Sequence, residues 1–250
     1  MDFKDNLKQW LKTMGIALQR AFLHLVYPTK CLHCQILLPP ESLVLCSSCA
    51  ALLELIQLEE RCPTCFNFLS EDSPCDECLQ YPSQYTRMAS AFDYEGPAAS
   101  LVKRLKYAQQ PYLAQGMAAF LVLQFDRLQW PMPDALIPVP LSLTHWLERG
   151  YNQSARLAEE MGFFLQRPVW HALKRQSGDF SQAALTLEQR KNLDGKRFQK
   201  KSNDPLEGKI LLVIDDVMTS GSTLRRCAEI LRLENPAALY ALTFCRALKH

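Results

Sequence analysis

Two neighbouring carboxylates, Asp215 and Asp216, follow the aliphatic run Ile210 to Ile214 and precede "TSGST", Thr219 to Thr223. Small, hydroxyl-bearing residues around a glycine suit a helix start, where unpaired N–H groups and the helix dipole favour an anion. Gly221 lets the backbone come close to a ligand. Thr219, Ser220, Ser222 and Thr223 add hydroxyl donors. A plain helix cap would account for one or two of these residues. It does not account for two acids followed by hydroxyl residues around a glycine. The stretch has neither Gly-Lys-Ser/Thr nor G-x-G-x-x-G, so it is not the usual nucleoside triphosphate or dinucleotide loop. The chemistry it suits is phosphate binding with a pair of acids close by.

The second reactive set is cysteine. Eight of the ten cysteines fall in four C-x-x-C pairs: Cys31 and Cys34, Cys46 and Cys49, Cys62 and Cys65, Cys75 and Cys78. The gaps between pairs are 11, 12 and 9 residues. One C-x-x-C turn points two sulfurs at one ion, and two turns complete a tetrahedral site of four thiolates. Four pairs therefore make two structural Zn2+ sites. Sequential ligation is the simplest arrangement, and a cross-braced one stays open. His33 sits inside a knuckle where four thiolates already suffice, so it is read as a non-ligand. Cys227 and Cys245 stand alone in apolar surroundings and read as inert core residues.

These groups need elements to hold them. Ile210 to Ile214 reads as a strand buried on both faces, ending at the two acids. "TLRRCAEILRLE" reads as the helix after the phosphate loop. Further signals alternate along the chain: a strand "RMASAFDYEG" ending at Gly96, then a helix opened by Pro97. A helix "LAQGMAAFLVLQF", a short strand "DALIPVP", a helix "SARLAEEMGFFL" and a last strand "LYALTFC" follow. Strands alternating with helices imply an α/β fold with a parallel sheet flanked by helices. The stretch "AALLELIQLEE" between cysteine pairs reads as helical and acidic. Residues 3–26 carry apolar side chains at helical spacing. The expected organisation is an N-terminal amphipathic helix (1–28), a double zinc ribbon (29–82) and the α/β domain (86–250).

Two polar regions border the expected crevice. Arg149, Asn152 and Gln153 lie between a Pro-Val-Pro strand end and a helix, either as a second anion-facing loop or as a capped helix with a surface arginine. The basic stretch 174–201, from Lys174 and Arg175 to Lys200 and Lys201, reads as a lid over the anion, a solvated loop or a nucleic-acid contact.

Bulk composition excludes some classes. A chain of 250 residues, 48% hydrophobic and 22% charged, can bury a core and is not a disordered polyelectrolyte. A net charge of +2 does not by itself demand a nucleic-acid partner. The apolar runs fall short of the ~20 residues a membrane-spanning helix needs. Paired cysteines without a visible secretory signal point to a cytoplasmic location and metal binding.

The run Leu211 to Thr223 resembles the signature by which type I phosphoribosyltransferases bind phosphoribosyl pyrophosphate (PRPP). That resemblance implies that Thr219 to Thr223 cradle the 5′-phosphate. It also implies that Asp215 and Asp216 face the ribose hydroxyls near Mg2+. With the C-x-x-C pairs, "IPVPLS" (137–142), "RGYNQSARLAEE" (149–160), "EQRKNLDGKRF" (188–198) and "YEGPAASLVKRLKY" (94–107), the chain looks like the ComF/GntX family. Members of that family join a zinc module to a phosphoribosyltransferase-like domain. The resemblance implies a role in natural competence, in handling or importing single-stranded transforming DNA with DNA-uptake or replication-restart proteins. A peripheral place at the inner membrane is compatible with it. A catalytic phosphoribosyltransferase moving phosphoribose from PRPP to a base or another acceptor is the alternative. Lys106 resembles a recurrent lysine of the family.

Overall fold

The structure is a computed structural model that describes residues 29–39, 44–69, 75–175, 198–201 and 204–247. The expected helix over 3–26 and most of the basic stretch 174–201 lie outside the described residues. The chain divides into two compact units, Met1–Leu53 and Glu54–His250.

The described part of the first unit is a cysteine turn and one short helix, α1 (Ser47–Ala50). An antiparallel bridge joins Lys30 and Leu37. Its core is small: Cys31, Leu38 and Cys49 are buried, with Leu45 and Cys46 against them.

The second unit begins with another cysteine turn and the helix α2 (Asp76–Gln80). The strands and helices that follow are β1 (Arg87–Asp93), α3 (Gly96–Tyr107), α4 (Leu113–Leu128), β2 (Ala135–Pro138), α5 (Leu143–Arg149) and α6 (Gln153–Leu165). The chain continues through β3 (Leu173–Arg175), β4 (Phe198–Lys200), β5 (Ile210–Met218), α7 (Ser222–Arg232) and β6 (Ala238–Arg246). Four strands form a sheet in the order β1-β6-β5-β2, every neighbouring pair parallel. β3 and β4 form a separate antiparallel pair. The fold class is the expected one: a parallel sheet flanked by helices, with two cysteine clusters preceding it. Among the described residues no helix is long and apolar enough to cross a membrane.

Both sheet faces are covered, which explains why the central strands are almost continuously apolar. On one face Leu211, Val213, Leu239 and Ala241 pack with Leu224, Cys227, Ala228 and Leu231 of α7. On the other, Phe92 meets Phe120 of α4 at 5.2 Å between ring centroids. Tyr240 lies 4.8 Å from Trp130, just beyond that helix. Cys227 and Cys245 are fully buried in the unit.

The second cysteine cluster is built onto the sheet edge. Arg61, just before Cys62, pairs with Asp93 of β1 at 2.8 Å. Met88 N–H donates to the carbonyl of Thr64 at 2.7 Å.

Three local expectations change, and two features are new. β5 does not end at the acids but runs on to Met218, because β6 continues beside it to Arg246 and supplies partners for Val217 and Met218. β1 stops at Asp93, and Gly96, at φ +48°, opens α3. The stretch "AALLELIQLEE" is not a helix beyond Ala50. Ile56 is instead buried, and its N–H donates to Ala91 in β1, so tertiary burial overrides local propensity. The helix α5 and the β3–β4 pair are new elements.

Candidate functional site

A parallel strand followed by a helix leaves its loop at the carboxyl edge of the sheet, where open α/β sheets bind ligands. Here β5 delivers Asp215, Asp216 and Val217 to that edge, and α7 begins after Gly221. Gly221 adopts φ +71° as the residue before α7, a left-handed conformation that L side chains resist. The crevice beside this edge has a volume of about 350 Å³. Among its lining residues are Lys106, Arg149, Ser154, Asp215, Asp216 and Thr223.

The two acids sit in different surroundings. Asp216 is only 6% exposed, and its Oδ1 lies 3.0 Å from Lys106 Nζ of α3. Asp215 Oδ1 accepts from Ser154 Oγ of α6 at 2.7 Å and from the Asp216 N–H at 2.9 Å. Burial, and then the neighbouring charge of Asp216, push the Asp215 carboxyl from 3.8 up to about 7. The hydrogen bonds and Lys106 pull it back only in part. Two carboxylates, a lysine and a hydroxyl in one half-sheltered crevice form a site for a polyhydroxyl or cation-bearing ligand. The outward N–H groups of the α7 first turn supply the anion end.

The structure does not use all the sequence-predicted residues alike. Thr219 and Thr223 line the crevice with the acids. Ser220 and Gly221 line, with Thr219, a neighbouring cleft. Ser220 Oγ donates to Ser222 Oγ at 3.1 Å, which ties the loop to itself. Arg149 reaches the crevice from the end of α5, stacks over Tyr107 at 5.1 Å and donates to Gln153 Oε1 at 3.1 Å. Its Nε is buried without a hydrogen-bond partner among the described residues. Asn152 is placed otherwise. Its Oδ1 caps α6 by accepting from Ser154 and Ala155, and its Nδ2 donates to the Val139 carbonyl. The neighbouring Gln153 takes the crevice position.

Sequence reading missed Ser154 and His145 as crevice residues. Ser154 is the second residue of a helix, where serine is commonplace, so its type and position carried no signal. Lys106 was legible only through its family context.

Each cysteine cluster is compact enough for one ion. The sulfurs of Cys31, Cys34, Cys46 and Cys49 lie within 4.8 Å of one another, as do those of Cys62, Cys65, Cys75 and Cys78. The two clusters therefore group the pairs sequentially, not cross-braced. Individual sulfur separations of 3.7 Å for Cys34–Cys46 and 3.4 Å for Cys65–Cys75 fit edges of a tetrahedron with metal–sulfur bonds near ~2.3 Å. Without an ion four thiols this close do not all ionise. Burial and the neighbouring thiols push Cys49 up to about 12. Burial also raises Cys31, but backbone N–H groups outweigh it and lower that thiol to about 6. A divalent cation offsets the mutual repulsion by binding all four as thiolates.

No family model matches the chain. The DNA utilization protein YhgH of Salmonella typhi is 32% identical over 232 residues, covering 90% of this chain and 100% of that one. Competence protein F of Haemophilus influenzae is 27% identical over 209 residues, 81% of this chain and 90% of its own. Competence protein ComFC of Bacillus subtilis is 27% identical over 208 residues, 81% and 83% of the two chains. Among solved structures, the allosteric regulatory enzyme of purine biosynthesis matches 57% of this chain and 30% of its own at 14% identity, with a TM-score of 0.37. A score that low carries no argument, and the fold class rests on the sheet itself.

Proposed function

Because this chain belongs to the ComF/GntX family, we propose that it binds PRPP with Mg2+ in the β5–α7 crevice and acts on single-stranded DNA in natural competence. The observation that carries the ligand is the grouping of Asp215 and Asp216, with Lys106 and Ser154, immediately before a hydroxyl-rich helix start. Thr219 to Thr223 hold the 5′-phosphate through backbone N–H groups and hydroxyls. The two acids hold the ribose hydroxyls, and Lys106 pairs with Asp216 and orients it. Arg149 faces the pyrophosphate. Mg2+, when bound, neutralises the pyrophosphate charge that would otherwise repel the acids. The two cysteine clusters hold structural Zn2+, with no open coordination position for chemistry.

The test is calorimetric titration of the purified protein with PRPP, with and without Mg2+. Tight, Mg2+-dependent binding is expected, and D215N or D216N should weaken it at least ~100-fold, the loss of a charge-assisted pair of contacts. Unchanged binding in both variants would remove the assignment.

A basic groove supports the DNA part. Beside the crevice runs a groove lined by Trp146, Arg156, Glu159, His171, Lys174 and Lys201, together with Arg175, which it shares with the crevice. Among the described residues four cations face one carboxylate there, and that carboxylate pairs with Arg156 at 2.8 Å. Trp146 is 48% exposed. An aromatic platform beside cations suits stacked bases and phosphates of a single strand. In fluorescence anisotropy with a labelled oligothymidylate, W146A should weaken binding about tenfold and K174E/K201E should flatten its salt dependence. Wild-type affinity in both variants would rule the groove out as the strand site.

A second reading is phosphoribosyl transfer to an acceptor. It is favoured by Asp215, whose carboxyl titrates near neutral pH within the crevice and so has a value suited to proton exchange. Pyrophosphate release from PRPP with a panel of bases distinguishes transfer from binding alone.

A further inference from the structure

The second cysteine cluster grips both flanks of the phosphate loop. On the strand side, Arg246 at the end of β6 is 6% exposed. Its Nη1 donates to the carbonyl of Cys65 at 2.8 Å and its Nη2 to Asn67 Oδ1 at 2.9 Å. The same Nη1 lies 3.7 Å from Met218 Sδ, at the last residue before the loop. Ala247 N–H donates to the Met218 carbonyl at 2.9 Å. On the helix side, Arg225 of α7 lies over the Tyr81 ring at 4.8 Å, three residues beyond Cys78. Between these two ties lies a small cleft of about 50 Å³, with Cys65 and Tyr81 on one wall and Thr219 to Gly221 on the other.

The burial of Arg246 decides what this arrangement means. A guanidinium hidden from water depends on its acceptors, and both acceptors belong to the turn that carries Cys62 and Cys65. That turn is set by Cys62 N–H to the Asn67 carbonyl at 2.8 Å and Phe66 N–H to the Cys62 carbonyl at 2.9 Å. A metal on Cys62, Cys65, Cys75 and Cys78 locks the turn. Losing the metal frees it, and a buried cation with displaced acceptors is costly enough to drag neighbouring backbone with it. That neighbouring backbone is Met218 and the loop.

We infer that Arg246 is a positioning residue that couples the second cysteine cluster to the phosphate loop, so that metal in this cluster sets the loop's affinity for its ligand. The inference rests on the PRPP reading of the crevice. The first cluster, Cys31 to Cys49, lies in the other unit and serves as the control.

The experiment measures zinc content and Mg2+–PRPP affinity on the full chain for C75S/C78S, C31S/C34S, R246Q and R246Q combined with C75S/C78S. C75S/C78S should lose one equivalent of zinc and about tenfold in PRPP affinity. C31S/C34S should lose one equivalent with affinity within about twofold of wild type. R246Q should keep both metals and weaken PRPP about tenfold at a temperature well below its melting point. The combined variant should be no weaker than C75S/C78S, because coupled groups fail additivity. Full additivity, or R246Q binding PRPP like wild type, overturns the inference. If C75S/C78S does not fold, R246Q alone decides, since it keeps all eight ligands. A wild-type protein that holds no PRPP overturns the crevice reading and this inference together, whereas intact wild-type binding with insensitive variants overturns this one alone.

Discussion

Asp215 is costly to keep where it is. Its carboxyl is desolvated, stands next to Asp216 and titrates at about 7 rather than 3.8. A raised acid pKa means that the folded chain keeps a proton the unfolded chain has already released. The contribution to stability therefore falls as pH rises from about 4 to about 7, and is at its lowest above that. Replacing Asp215 by Asn retains an acceptor for Ser154 Oγ and the Asp216 N–H but abolishes the charge. In the absence of ligand, D215N should be more stable than wild type at pH 8 by about 1–2 kcal/mol, and the gap should close by about pH 4. Urea denaturation at the two pH values measures it. A gap that is the same at both would mean that the carboxyl is not strained by its surroundings. The same substitution is expected to lose Mg2+–PRPP binding. Stability gained where function is lost is the mark of a group kept for its ligand rather than for the fold.

At the scale of elements, the parts legible in the sequence were those whose signal is local. Five aliphatic residues before two acids marked β5, and the C-x-x-C pairs marked both clusters, though not the choice between sequential and cross-braced grouping. Pro97 marked the start of α3 within one residue. The parts that were not legible depend on partners far along the chain. β5 extends through Met218 only because β6 is there to pair with it. Ile56 leaves a helical-looking stretch because Ala91 offers a carbonyl on the edge of β1. Asn152 looked like a ligand-facing amide, but a residue that can cap α6 and also reach the Val139 carbonyl uses its polar atoms there. Ser154 became visible only when α6 was laid against β5, since no spacing rule links positions 154 and 215. Register, edge pairing and interhelix placement are properties of the assembled sheet, so single-segment periodicity does not contain them.

At the scale of the molecule, the two cysteine clusters are chemically alike but rest on unequal foundations. The described core of the first unit is Cys31, Leu38 and Cys49, with Leu45 and Cys46 packed against it, and three of these five belong to the cysteine cluster. The apolar surface buried among these described residues is small, and a metal on the four cysteines would add to what holds them together. The second cluster belongs to a unit whose sheet carries its own core on both faces, as Leu211, Leu212, Val213 and Ile214, all fully buried, show. Metal loss should therefore have different reach in the two places. A Cys31→Ser variant is expected to lose one of two zinc equivalents and to lose hydrogen-exchange protection across residues 29–39 and 44–53. The melting transition of the sheet should move by no more than a few degrees. Cys62→Ser should lose the other equivalent, keep protection in β5 and β6, and lose it in the turn 62–67. Protection retained over 29–53 without its metal would mean that this unit folds on apolar burial alone. Collapse of β5 in Cys62→Ser would mean that the sheet depends on the cluster rather than merely supporting it.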